Sequence, residues 1–323
     1  MSMNYTNDTT LENLVHTVII SSISLFVSLI GIVGNGLVIW FLSFKIKKNP
    51  STVYIFNLAL ADAFFLVCVS VLHIFTVVLN IEVPFEQKIE DGHLNNVLSS
   101  LTISCLFGFN TSVSLLTAIS VERCICVLFP IWYYCNRPRY LSSIICSAIW
   151  FMSCLFSILE FIYCYYESYK QNNVHEISGG GCEYMFVTIC FISFMLCIPS
   201  MTVSSLVLLI KVWTTSQHRQ PQKLYLVITV TVISFLLFAM PMRISLLVWY
   251  KHQIMPPFPI MDIFSLFICV NSSINPFIYF LIGHRGTGGG KRNLRTILQS
   301  VFREEGSQIR KAQSNINTRD AIV

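Results

Sequence analysis

Val270–Tyr279 reads VNSSINPFIY. Two asparagines, two serines and a proline stand inside an apolar run that extends from about 258 to 283. A run of that length crosses a bilayer, which a helix does with roughly 20 mostly apolar residues. Polar side chains at such depth are costly unless paired or used, and a mid-helix proline removes a backbone hydrogen bond and bends the helix. The stretch therefore reads as a bent membrane helix with a polar inner face.

Working outward from it, six further runs of the same kind cover about 15–43, 52–79, 95–128, 141–164, 184–213 and 223–250. With 54% hydrophobic and 11% charged residues, a water-soluble domain is excluded in favour of the bilayer as solvent. The expected fold is an all-α membrane protein, a seven-transmembrane helix bundle with a short amphipathic eighth helix. Residues 1–14 are expected as an extracellular N-terminal tail, 15–283 as the transmembrane domain, 284–304 as a juxtamembrane amphipathic helix and 305–323 as a disordered cytoplasmic tail. The start lacks the basic region and cleavage site of a secretory signal, so span one is expected to serve as an uncleaved anchor. In KRNLRTILQSVF, residues Leu294, Ile297, Leu298, Val301 and Phe302 fall on one helical face, as an interfacial helix on the inner membrane lipid requires.

Charge sets the orientation. Lys45, Lys47, Lys48, Arg137, Arg139, Lys211, Arg219, Lys223 and the basic tail from Arg285 fall on one side, against Lys88, Lys170 and Lys251 on the other. Basic loops stay in the cytoplasm, which predicts an extracellular N-terminus in a plasma-membrane protein. Asn4-Tyr5-Thr6 and Asn7-Asp8-Thr9 are then glycosylation sequons on the correct side. The outer segments are acidic, including Glu82, Glu86, Glu90, Asp91, Glu167, Glu176 and Glu183. Such a field either steers a cationic ligand inward or merely solvates the rim. Of the twelve cysteines, Cys164 and Cys182 flank the loop between spans four and five, in the oxidising compartment. They are expected to form a disulfide across the pocket mouth.

The polar residues at depth form a set. Asp62 lies in span two, Asn110 and Ser112 in span three, and Asn271, Ser272 and Asn275 in span seven. A lone carboxylate there either takes a proton within a hydrogen-bond network or binds a cation. Ser112, Asn271, Ser272 and Asn275 offer the neutral oxygens and amides that suit sodium. No other cofactor or metal is expected. Pro199, Pro241 and Pro276 bend spans five, six and seven.

Taken in order, GN in span one, LALAD in span two, Glu122-Arg123-Cys124 at the end of span three, Trp150, Pro199, MP in span six and NPFIY in span seven resemble the rhodopsin-like (class A) G-protein-coupled receptors. IKKNPSTVYIFNLALAD, LLTAISVERCICVLFPIWY and FAMPMR resemble the Mas-related receptors within them. The resemblance covers about residues 25–303 and implies a receptor signalling through heterotrimeric G proteins. It implies that Glu122, Arg123, Pro241, Asn275, Pro276 and Tyr279 serve activation and coupling, with Arg123 paired to Glu122 at rest. Arrestin is a further implied partner.

The sequence departs from that pattern in four places. Ala239 stands where a tryptophan is usual in span six, Val207 where a tyrosine is usual in span five, and Leu98 where a cysteine is usual in span three. Near the inner end of span six only Lys223 is charged, so no acid clamps Arg123 from there, and ligand-free signalling is expected. The ligand pocket is expected at Glu160, Arg243, Phe107, Trp249, Tyr250 and Phe264. Glu160 and Arg243 either recognise a peptide or small zwitterionic ligand or pair with each other. A retinal protein is excluded because span seven has no lysine. No paired repeats suggest a transporter, no motif suggests an enzyme, and no nucleic-acid partner is expected. A non-signalling scavenger or decoy receptor is the alternative reading.

Overall fold

No glycine or proline interrupts residues 2–30, and α1 (Ser2–Phe44) runs unbroken through them. The segment expected as a tail is therefore helical and continuous with the first span. The structure, a computed structural model, describes residues 2–46, 49–82, 92–163, 187–189, 191–214, 222–241, 244–245 and 258–285. Cys164, Cys182, Arg243, Trp249, Tyr250 and the amphipathic segment and tail beyond 285 lie outside these, as do the side chains of Asn4 and Asn7.

Pro50 opens α2 (Pro50–Glu82), the position where its missing N–H costs nothing. The Thr52 hydroxyl fixes this start by donating to the Asn49 carbonyl at 2.8 Å and accepting from the Asn49 amide at 2.7 Å. Next come α3 (Gly92–Leu128), α4 (Leu141–Phe161), α5 (Ile198–Thr214), α6 (Gln222–Phe238) and α7 (Phe258–Arg285). Stretches of α1, α2, α3, α4 and α7 are each long and apolar enough to cross a membrane, and shorter apolar helices, Met195–Val207 and Thr229–Phe238, lie at the start of α5 and in α6. A π-turn, Ser193–Cys197, leads into α5 just before Pro199, where the lost N–H already breaks the regular ladder.

Packing follows small residues, since lipid tails give apolar helices no hydrophobic reason to associate. α1 approaches α7 so closely that a Cβ added at Gly34 would sit 3.2 Å from the Pro276 Cβ, and one at Gly31 would overlap Ser273 and lie 2.7 Å from the Leu66 Cδ1. Leu58, Leu66, Leu115 and Val232 fill the centre, where α2, α3 and α6 meet. Ile19, Phe26, Val33 and Leu37 face outward along α1, as a lipid-facing stripe does. α4 and α5 each pack on α3 and hardly at all on each other among the described residues.

Pro276 lies inside α7 and cannot donate to the carbonyl of Ser272 one turn back. Asn35 of α1 supplies the missing donor, its Nδ2 reaching that carbonyl at 3.1 Å and the Gly31 carbonyl at 3.0 Å. The bend in α7 is thus capped by a side chain from another helix.

Candidate functional site

Proline also shapes the end of α3. After Pro130 the chain makes a π-turn, Trp132–Asn136, and Arg137 is extended at φ −70°, ψ 128°, the conformation favoured just before a proline such as Pro138. Its guanidinium reaches 3.0 Å from Glu122 Oε2, donates from Nη2 to Ser142 at 2.6 Å and lies 4.9 Å over the Tyr133 ring. Tyr133 donates to Glu122 Oε1 at 2.8 Å. Arg123 stands farther from the same carboxylate, at 3.7 Å, and donates to the Ser51 hydroxyl in the first turn of α2. Arg123 is buried, with 2% of its surface exposed.

The expected Glu122 to Arg123 pair is therefore present but is not the tighter contact. Glu122 is a shared anion whose closer guanidinium comes from the loop between α3 and α4, and Arg123 is held as well by α2. Ser51, Tyr133 and Arg137 complete this cluster, and the sequence alone did not single them out for it. Residues at helix ends and in short turns show no extended period, and the one available signal was Arg137 standing directly before a proline.

Asp62 is fully buried at mid-bundle. Ser112 donates to its Oδ1 at 2.7 Å and Asn275 Nδ2 to its Oδ2 at 2.8 Å, with Ser272 also against the carboxylate. Helices α2, α3 and α7 thus meet on one charge. Asn275 Oδ1 is buried without a hydrogen-bond donor among the described residues. A carboxylate beside an unsatisfied amide oxygen and hydroxyls is the donor set of a hard cation. Asn271 is buried on α7, and Tyr279 is buried one turn beyond Asn275. Elsewhere among the described residues no group of three or more His, Cys, Asp and Glu side chains is placed to hold a metal ion.

At the opposite end from Arg123, Glu160 is half-buried near the end of α4, with its Oε2 shielded from solvent. Phe107 turns toward α2 and α4, its ring 5.6 Å from those of Phe64 and Trp150. That is a packing cluster, and it does not bring Phe107 together with Phe264, which lies half-buried on α7. Pro241 is half-buried just beyond α6, and Ala239 is wholly buried. Three polar contacts went unforeseen. Trp150 donates to Asn57 at 3.0 Å, Thr17 to Asp262 at 2.7 Å, and Ser265 stands 3.3 Å from buried His73. His73 was detectable by the rule that an ionisable residue within a span is a functional candidate.

The order of these sites along the helices can be set against known proteins. The sequence model of the seven-transmembrane receptors of the rhodopsin family matches residues 34–279. The chain belongs to that family. The receptor is 38% identical over 309 residues to the Homo sapiens protein "Proto-oncogene Mas", covering 94% of this chain and 88% of that one. It is 38% identical over 291 residues to "Mas-related G-protein coupled receptor member H" of Rattus norvegicus, covering 88% and 83%. Against "Mas-related G-protein coupled receptor member D" of Macaca fascicularis it is 32% identical over 292 residues, covering 89% and 86%. It is a multi-pass membrane receptor of the Mas-related kind, and its family is one of receptors for extracellular ligands that couple to G proteins, rather than a class of enzyme.

Proposed function

We propose that this receptor is activated by an extracellular peptide or small zwitterionic ligand and passes the signal to a heterotrimeric G protein through Arg123. The observation that carries the coupling half is the state of Arg123, a buried guanidinium poised between Ser51 and Glu122 at the end of α3. A guanidinium that bridges α2 and the end of α3 changes partners when the bundle opens, and bends at Pro199, Pro241 and Pro276 supply the joints for that opening. The N-terminus faces outward in this reading, which the placement of basic residues in the sequence supports.

On the outer side, Glu160 and Arg243 provide one charge of each sign for the ligand, and the acidic loops raise its local concentration if it is cationic. Cys164 and Cys182 are proposed to tie the intervening loop over the entrance, and Asn4 and Asn7 to carry glycans. Arrestin is proposed to share the Arg123 face. Sodium is proposed to bind at Asp62 with Ser112, Asn271, Ser272 and Asn275. The unsatisfied Asn275 oxygen supports that fit. A cation there favours the closed bundle by bridging three helices that must part company on activation.

Nucleotide exchange tests the coupling. Membranes holding wild type or Arg123→Ala at equal surface levels are presented to a panel of purified G-protein α subunits. Exchange above background on at least one subunit, abolished in the variant, is the expected result, and its magnitude without ligand measures basal signalling. Equal exchange in wild type and variant would refute the role of Arg123. Absence of exchange in both, even after a screen of cationic and zwitterionic peptides, would favour a decoy receptor.

A further inference from the structure

Between α3, α4 and α5 lie two cavities, one of about 290 Å³ around Asn110 and Ser153 and one of about 360 Å³ around Glu122 and Arg137. They share Ser114, Ile145 and Cys197, so they form one groove. Along α3 its wall is a single stripe at helical spacing, Asn110, Ser114, Ala118, Val121 and Ile125. Fifteen helical steps from Asn110 to Ile125 make the groove about 22 Å long. That exceeds the acyl depth of one bilayer leaflet, about 15 Å, so an acyl chain of one leaflet fits along it. Its opposite wall on α4 runs from Leu141 through Ile145 and Ile149 to Met152. Met152, 44% exposed, and Trp132, 41% exposed, sit at its two ends, so the groove opens away from the bundle. Because α4 and α5 hardly meet, no described part of the chain fills it.

The charge at one end tells what does. Arg137 lines the groove, and its side chain is 6% exposed. Both of its polar contacts, to Glu122 and to Ser142, use Nη2, and among the described residues its Nη1 and Nε donors have no partner. A guanidinium carries five N–H donors in a fork that matches a carboxylate. With Arg123 adjacent, two guanidiniums face one carboxylate, and the groove ends on net positive charge.

From these features we infer that the groove binds a long-chain fatty carboxylate. The acyl chain lies along α3 and α4 between Asn110 and Ile125, and the carboxylate sits against the open donors of Arg137. In the orientation proposed above, the headgroup is at the cytoplasmic face, where a free fatty acid of the inner leaflet presents it. Glu122 stays paired through Nη2, so the lipid adds a member to the cluster around Arg123 rather than displacing one.

Purified full-length receptor in phosphatidylcholine nanodiscs is photolabelled with oleate carrying a diazirine on its chain, and the labelled peptides are mapped. The expected label falls on residues 110–125 and 141–156 and is removed by excess unlabelled oleate. Arg137→Gln and Ile149→Trp each lower it about tenfold, as loss of one charge-assisted contact or of the acyl seat would. Val33→Trp on the outward face of α1 leaves it unchanged. Label spread evenly over lipid-facing residues, or not competed by oleate, would overturn the inference. Displacement by cholesterol but not by oleate would overturn it as well, in favour of a sterol. Mapping and competition on the wild type decide the matter even if a variant fails to fold.

Discussion

Arg137 and Ser51 act on the same cluster with opposite effect. Arg137 is the closer guanidinium to Glu122, and its loss frees the carboxylate to draw Arg123 in from 3.7 Å. Arg137→Gln is therefore expected to lower ligand-free nucleotide exchange below wild type. Ser51→Ala removes the α2 partner of Arg123 and is expected to raise it, by a few-fold for a hydrogen bond of about 1 kcal/mol. Exchange assays at matched surface density measure both, and a shift of the two variants in the same direction would contradict the shared-anion arrangement. At Asp62 the expectation concerns an ion. The thermal midpoint of the wild type in detergent rises when choline chloride is replaced by sodium chloride, whereas Asp62→Asn, which keeps the shape and loses the charge, shows no difference between the two salts. These residues differ in how readable they were. Asp62, Ser112 and Asn275 announced themselves by polarity inside apolar runs, which is a one-dimensional signal. Ser51 and Arg137 are polar residues next to polar loops, and only the three-dimensional return of the chain at Pro138 gives them a purpose.

At the level of elements, two seams depend on a few atoms. The α2–α4 seam is joined by the Trp150 to Asn57 hydrogen bond at 3.0 Å. Trp150→Phe leaves the half-buried amide oxygen of Asn57 without its donor, at a cost of about 1 kcal/mol, and is expected to lower the thermal midpoint by a few degrees. Asn57→Ala in the same background should then cost less than it does alone, since the two side chains are coupled. The α1–α7 seam depends on absent side chains. Gly31→Ala drives a methyl into Ser273 and Leu66, and overpacking of that kind costs about 1–3 kcal/mol. Adding Ser273→Gly is expected to cost less in the Gly31→Ala background than alone, where it removes the hydrogen bond to the Val27 carbonyl and places glycine inside α7. Long apolar runs made α1, α2, α3, α4 and α7 visible in sequence to within a few residues at most ends, because the bilayer leaves the backbone no alternative to a helix. The π-turns at Trp132–Asn136 and Ser193–Cys197 were not visible. Each adds a residue per turn without changing the composition, and only nearby Pro130 and Pro199 hint at a disturbance.

For the whole molecule, orientation is the property to establish first. Intact cells expressing the receptor are expected to yield a band that shifts on glycosidase treatment, and Asn4→Gln with Asn7→Gln is expected to abolish that shift. A band unaffected by either treatment would remove the support that the sequons give to an outward N-terminus. The helical architecture was legible because hydropathy is a property summed over many residues, so a single surprise such as a helical residue 2–14 segment does not disturb it. Relations between distant parts were less so. Nothing local shows that Asn35 answers for Pro276 across most of the chain's length, yet the bond is there at 3.1 Å. That bond has a bearing on biogenesis. Membrane helices enter the bilayer in order of synthesis, and α7 arrives with a carbonyl at Ser272 that its own backbone cannot satisfy. An open polar group in hydrocarbon costs several kcal/mol, so α7 is a poor lodger until α1, made first, stands beside it. A receptor fragment begun at α2 would thus be expected to release its last helix to quality control, and co-expressed α1 to rescue it.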